Sequence, residues 1–105
     1  MSAQDDLVAR VRAHFGDRVE REVPMFGGIA FMVDDRLVAS AGRRGDLLVR
    51  VPAARHEDYL SREGAEQATM AQGRRTMGPG WVTVSPEALV EAADLAWWLD
   101  AAVAH

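Results

Sequence analysis

Between Met25 and Val51 the side chains alternate in three runs, and the rest of the chain is read around them. Ile29, Phe31 and Val33 alternate with Ala30 and Met32. Leu37, Ala39 and Ala41 alternate with Val38 and Ser40. Leu47, Val49 and Val51 alternate with Leu48 and Arg50. A period of two belongs to a β-strand, whose successive side chains point to opposite faces. Asp34-Asp35 interrupts the first two runs and predicts a two-residue hairpin turn, because Asp tolerates positive φ. Gly42-Arg43-Arg44-Gly45-Asp46 predicts a second, longer turn, and Pro52 ends the third run because it has no N–H to donate. Connections this short force antiparallel neighbours. The pattern predicts a meander of at least three antiparallel strands within residues 18–51.

The second face of that meander is not simply polar. It would carry Ala30, Met32, Val38 and Leu48, with Ser40 and Arg50 among them. An antiparallel sheet open to water on one side alternates more cleanly. A cover is therefore expected, from a helix, the C-terminal segment or another subunit, with ordinary core on both faces as the plainer reading. Arg50 cannot lose its charge there and needs a partner. Glu20 or Glu22 would serve if their strand lies alongside; otherwise Arg50 holds an external anion or acidic group.

Helical periodicity frames the meander. Residues 3–15 predict a helix with Ser2 and Asp5 at its start, acids in its first turn, and Leu7, Val8, Val11 and Phe15 on one stripe. Gly16 fits the stop, and His14 is read as a partner of the C-terminal dipole rather than a ligand. Arg18–Val23 alternates charge with valine as an edge strand would, ended by Pro24. Pro52–Glu63 predicts a second helix stopped by Gly64. His56-Glu57-Asp58 is read as a solvated face, because consecutive helical residues point about 100° apart and cannot converge on one metal ion. Gln67–Met70 is a candidate short strand, Gln72-Gly73 a turn, and Trp81–Val84 a strand. Ser85 and Pro86 predict a helix start, with Asp94 able to cap again. Leu95, Trp98, Leu99, Ala102 and Val103 then form a buried stripe, with Trp97 at its flank.

Composition narrows the chemistry. The 105 residues include no cysteine, which excludes thiol catalysis and Cys-ligated zinc. No apolar run approaches the ~20 residues of a membrane span, and the charged N-terminus has no signal-peptide core, so a cytoplasmic protein is expected. All 12 basic residues are arginine, and the last is Arg75. The net charge of −4 therefore lies in residues 76–105, on Glu87, Glu91, Asp94 and Asp100. An acidic final third argues against broad binding to a nucleic-acid backbone. Gly27-Gly28 lacks the spacing of a phosphate loop and is read as a bulge or a close backbone approach.

The run Met25-Phe26-Gly27-Gly28-Ile29-Ala30-Phe31-Met32-Val33 resembles the signature of the TfoX/Sxy N-terminal domain family. The later blocks follow in similar order: Arg36-Leu37, Leu48-Val49-Arg50-Val51, Gly64-Ala65, Arg74-Arg75-Thr76-Met77, Trp81-Val82-Thr83-Val84, and a proline-started helix closing with Trp97-Trp98-Leu99. The resemblance runs from about Leu7 to Val103. It implies a two-layer α/β domain of the α+β class, an antiparallel β-meander packed by N-terminal, middle and C-terminal helices. It also implies a link to the regulator of natural competence in bacteria, a co-regulator of transcription. Residues 1–105 are read as a single such domain, whereas the full regulator continues into a second, mainly helical one. The resemblance carries over no catalytic residue; Met25, Phe26, Gly27, Gly28, Arg50 and Met77 match motif positions as fold and surface features.

A non-enzymatic regulatory or protein-interaction module is the expectation, with an unidentified protein partner, no cofactor, no metal, and a monomer or homodimer. Candidate contact residues are Arg50, Arg43, Arg44, Arg74, Arg75 and Trp97. A nucleic-acid accessory role would need the two arginine pairs side by side to grip phosphates; specific DNA binding by this chain alone is not expected. A small enzyme is the third reading, and the sequence offers it no GxSxG, HExxH or paired carboxylates.

Overall fold

Ser2 caps the first helix: its Oγ accepts the Asp5 N–H at 3.0 Å, and α1 runs Ala3–Phe15 in the computed structural model. The described residues are 2–25, 27–70 and 75–104. α1 buries Leu7, Val8, Val11 and Phe15, and Gly16 closes it at φ +57° with its N–H donating to the Arg12 carbonyl. The meander follows as β1 (Arg21–Met25), β2 (Gly28–Val33), β3 (Arg36–Ala41) and β4 (Leu47–Arg50). Asp34 and Asp35 take φ +53° and +63°, the left-handed pair that a tight hairpin needs. After β4 come α2 (His56–Leu60), β5 (Ala65–Gln67), a small hairpin of β6 (Thr69–Met70) and β7 (Arg75–Thr76), then β8 (Trp81–Val84) and α3 (Ala92–Ala104). The main sheet is antiparallel in the order β1-β2-β3-β4-β8-β5, so β8 inserts between β4 and β5.

The buried apolar side chains of the three helices join one cluster with Phe31, Val33, Ala39, Leu47, Val49, Val82 and Val84. Ala30 and Ser40, on the opposite face, are buried outside that cluster. The fold is thus a two-layer α+β arrangement, with its helices on one face of the sheet. Neither a helix nor the C-terminal segment among the described residues covers the second face, because α3 packs with β3 and β4 in the first-face core.

Several local expectations are corrected. A bulge in β3 pairs Phe31 with Ala39 but Met32 with Leu37. The extra residue, Val38, turns into the core, and Leu37 moves to the second face beside Met32. β1 runs through Pro24 instead of ending before it, which an edge strand permits because the missing N–H can face outwards. The middle helix is short: a 3₁₀ turn at Ala53–Arg55 leads into the five residues of α2. Ser61 Oγ donates back to the Asp58 carbonyl at 2.7 Å, and the Arg62 N–H donates to Tyr59, so the backbone leaves the helix there. The expected strand Gln67–Met70 divides between β5 and β6, and the Gln72-Gly73 turn lies outside the described residues. Pro86–Leu89 forms a 3₁₀ turn in which the Ser85 side chain makes no cap. The Ser85 N–H is instead bonded to the Gly64 carbonyl at 2.9 Å, continuing the sheet. Asp94 sits in the first turn of α3 as a dipole partner rather than as its cap.

α1 is tied across the fold by ion pairs. The Arg12 guanidinium donates twice to Glu22 on β1, at 2.7 Å each. These hydrogen bonds hold the Glu22 carboxyl below the usual carboxylate range and raise Arg12 above its own. A depressed carboxylate stabilises the fold above its unfolded value, about 4.3, and loses that contribution as pH falls through the folded value. Arg12→Ala is therefore expected to melt below the parent at pH 7, and the gap should close in melts taken well below pH 4. His14 also does more than face the helix dipole: its Nε2 lies 2.7 Å from Asp100 Oδ1 on α3.

Candidate functional site

Alternation places Val23, Ala30, Met32, Leu37, Leu48 and Trp81 on the second face, with Ser40 and Thr83 between them and Arg21, Arg50 and Glu66 as its charges. Val23, Met32, Leu37, Leu48 and Trp81 are half-buried.

Arg50 is exposed on this face, with its guanidinium 5.5 Å from the centroid of Trp81, directly opposite on β8. The expected internal carboxylate partner is not there. β2 and β3 separate β4 from β1, a distance of about 14 Å at the usual strand spacing. Glu22 is taken by Arg12, and Glu20 accepts the Asp35 N–H at 2.6 Å. Arg50→Met should therefore change stability by no more than about 0.5 kcal/mol, read from urea unfolding; a loss near 3 kcal/mol would reveal a buried partner.

The glycine-rich corner is built by close approach. Gly27 adopts φ +78°, and its carbonyl accepts from Arg43 Nε at 3.3 Å and Gln4 Nε2 at 3.4 Å. A Cβ on Gly28 would lie 2.7 Å from the Ala41 carbonyl oxygen. Met25 closes β1, and the Met77 N–H donates to the Ala68 carbonyl at 2.9 Å. Phe26 and Arg74 lie outside the described residues.

Arg75 does not lie beside the Arg43-Arg44 turn. Arg43 and Arg44 lie in the β3–β4 turn at the Leu47 end of the sheet, whereas Arg75 is on β7, beyond the Trp81 end. The length of β4, about 10 Å, lies between them.

Two features went unread in the sequence. The first is His56, which is buried rather than solvated. Its Nδ1 accepts the Gly80 N–H at 2.9 Å, so Nε2 carries the proton and donates to Gln67 Oε1 at 2.6 Å. Gln67 Nε2 in turn donates to the carbonyls of Gly78 (3.0 Å) and Trp81 (3.3 Å). The available signal was the position of His56 on the same helical face as Ala53 and Leu60. The second is Arg62, whose guanidinium lies 3.5 Å above the Trp97 ring. Trp97 is 39% exposed and also packs on Tyr59 and Trp98, at centroid distances of 5.7 and 5.1 Å.

Fold and surface together define a small α+β domain with all its helices on one sheet face and a mixed apolar and arginine-bearing surface on the other. The chain belongs to the TfoX N-terminal domain family, whose model matches residues 4–105. Comparison with curated proteins and with solved structures returns no match. No helix among the described residues is long and apolar enough to cross a membrane.

Proposed function

We propose that this chain is a non-enzymatic regulatory module that works by binding another protein, a reading that its family membership supports. The observation that carries the reading is the second sheet face. A six-stranded sheet with all its helices on one side leaves Val23, Met32, Leu37, Leu48 and Trp81 only half-buried on the other. Half-exposed apolar side chains with charges among them are the kind of surface that a protein partner covers. The polar pair His56 and Gln67 is already engaged, each with the other and with the backbone. That arrangement favours a structural role for them over acid–base work. The separation of Arg75 from Arg43 and Arg44 likewise favours a protein over a nucleic-acid backbone.

The test is capture from cell extract on immobilised chain, with proteins and RNA both scored. A specific protein should be retained through a wash at about 1 M salt, where the Debye length is about 3 Å and surface charges are screened. Leu48→Asp should lose it while melting as a folded protein. Retention of nucleic acid alone, released by salt, would replace this reading with the nucleic-acid one.

A further inference from the structure

The second sheet face has a definite relief and a definite charge. One row of side chains crosses it from β1. Arg21 pairs with Met32 and Met32 with Leu37, and one residue beyond the Ala39–Val49 pair Arg50 stands opposite Trp81. Met32, Leu37 and Trp81 are half-buried, while Arg21 and Arg50 are exposed. The neighbouring row is lower at its centre, because Ala30 and Ser40 are small and buried among their own neighbours. Apolar side chains of a partner can therefore settle beside Met32 and Leu37.

The charge on this face is unbalanced. Among the described residues neither Arg21 nor Arg50 is held in an ion pair. Arg50 lies against the Trp81 ring, and a flat guanidinium stacked in this way still donates sideways to a carboxylate. The acid on the face, Glu66, is on the outer strand β5 and in the other row. A second copy of the chain does not answer these charges. β3 and β4 are the middle strands of the six, so two copies laid centre to centre would bring Arg50 up to Arg50. A nucleic-acid strand would set its phosphates against the half-buried Met32, Leu37 and Leu48.

We infer that this face receives an acidic amphipathic helix of a protein partner, laid across the strands with its apolar stripe on Met32 and Leu37 and its carboxylates on Arg21 and Arg50. A helix fits better than an extended segment. The backbone of the sheet is paired within the sheet, so a strand lying flat on its face would find no partners for its own N–H and C=O groups. Arg21 and Arg50 stand three strand spacings apart, about 14 Å. Helix positions i, i+4, i+7 and i+11 share one side, and the outer two are about 16.5 Å apart, within reach of two arginine side chains. The inference rests on the protein-binding reading of the same face and adds the chemistry of the partner.

The test is calorimetric titration of the full chain with a synthetic alanine/glutamine helix of about 16 residues, cross-linked on its outer side so that it is helical when free. It carries Leu at i+4 and i+7 and Glu at i and i+11, and is compared with the same peptide bearing Gln or Lys in place of both Glu. At about 50 mM salt the Glu peptide should bind at least about tenfold more tightly than the Gln one, and the Lys peptide more weakly still. The advantage of Glu should shrink at about 1 M salt, where charge is screened and the apolar contact persists. Arg21→Gln/Arg50→Gln should abolish the preference for Glu. Arg18→Gln/Arg55→Gln removes the same charge elsewhere and should leave affinity within about twofold. Melts of each variant confirm that affinity is measured on folded protein. Equal binding of the three peptides, binding of none, or equal losses in the two arginine variants would overturn the inference. So would tighter binding of a single-stranded oligouridine, lost in Arg21→Gln/Arg50→Gln. A protein captured from extract through Leu48 but indifferent to Arg21→Gln/Arg50→Gln would overturn this inference alone, whereas capture of no protein would remove the reading beneath it.

Discussion

Replacing His56 with leucine should cost about 3 kcal/mol or more and lower the melting midpoint by more than about 10 °C. Leucine approximates the volume of the ring, so the loss comes from the polar groups left behind. The Gly80 N–H is buried and donates to Nδ1, and Gln67 Oε1 accepts from Nε2 at 2.6 Å. An unmet buried donor or acceptor costs about 1–3 kcal/mol each. The damage should spread, because Gln67 also fixes the Gly78 and Trp81 carbonyls where the chain enters β8. β8 lies between β4 and β5, so its start controls the join between the meander and the last edge strand. A double-mutant cycle with Gln67→Leu should show strong coupling, with the double variant costing clearly less than the two single losses added. Urea unfolding measures all three; a His56→Leu loss under about 1 kcal/mol would remove the network from the account.

Gly28→Ala is the second large effect, expected at about 2–3 kcal/mol. The added methyl would sit 2.7 Å from both the Ala41 carbonyl oxygen and Ser40 Oγ. Ser40 can rotate away, but the Ala41 carbonyl is backbone and also accepts Gln4 Nε2 at 3.0 Å. β2 and β3 would have to separate at the Ile29–Ala41 pair. Ser40→Ala should therefore rescue Gly28→Ala only in part. Gly27→Ala should cost less, about 1–2 kcal/mol, since its positive φ is strained for alanine while the nearest atom, Arg43 Nε, is 3.5 Å away on a flexible side chain. This ordering, measured by denaturant melts, would assign the paired glycines of the motif to a strand junction. Equal losses at both positions would point to backbone conformation alone.

Much of the architecture was legible because its causes are local. Ser2 and Gly16 bracket α1 through bonds made within a few residues. The two aspartates accept positive φ wherever they meet in a tight hairpin. The stripe Leu95, Trp98, Leu99, Ala102 and Val103 needs only a helix and an apolar neighbour, and all of it is buried except Val103, which is half-buried near the end of α3. The Gly28 contact was legible in kind, as a close backbone approach, though not in its partner.

What stayed hidden depended on residues distant in the chain. A bulge shifts one residue of β3, so alternation assigned Leu37 and Val38 to the wrong faces; nothing near Val38 marks the extra residue. Arg50 was matched with Glu20 or Glu22 by charge alone, but strand order decides neighbours, and the order puts Trp81 beside it. His56 looked solvated in the run His56-Glu57-Asp58 because its partners, Gln67 and Gly80, lie 11 and 24 residues further on. The sequence by itself determined the elements, the antiparallel meander and the buried stripes, since caps, turns and periodicity act over one or two turns of chain. Only the tertiary structure decided that the helices share one sheet face, that Arg75 lies at the opposite end of β4 from Arg43 and Arg44, and that Arg62 stacks on Trp97. Each of those depends on where β8 inserts and how α3 crosses the sheet, and that is settled by long-range packing energy with no local signature.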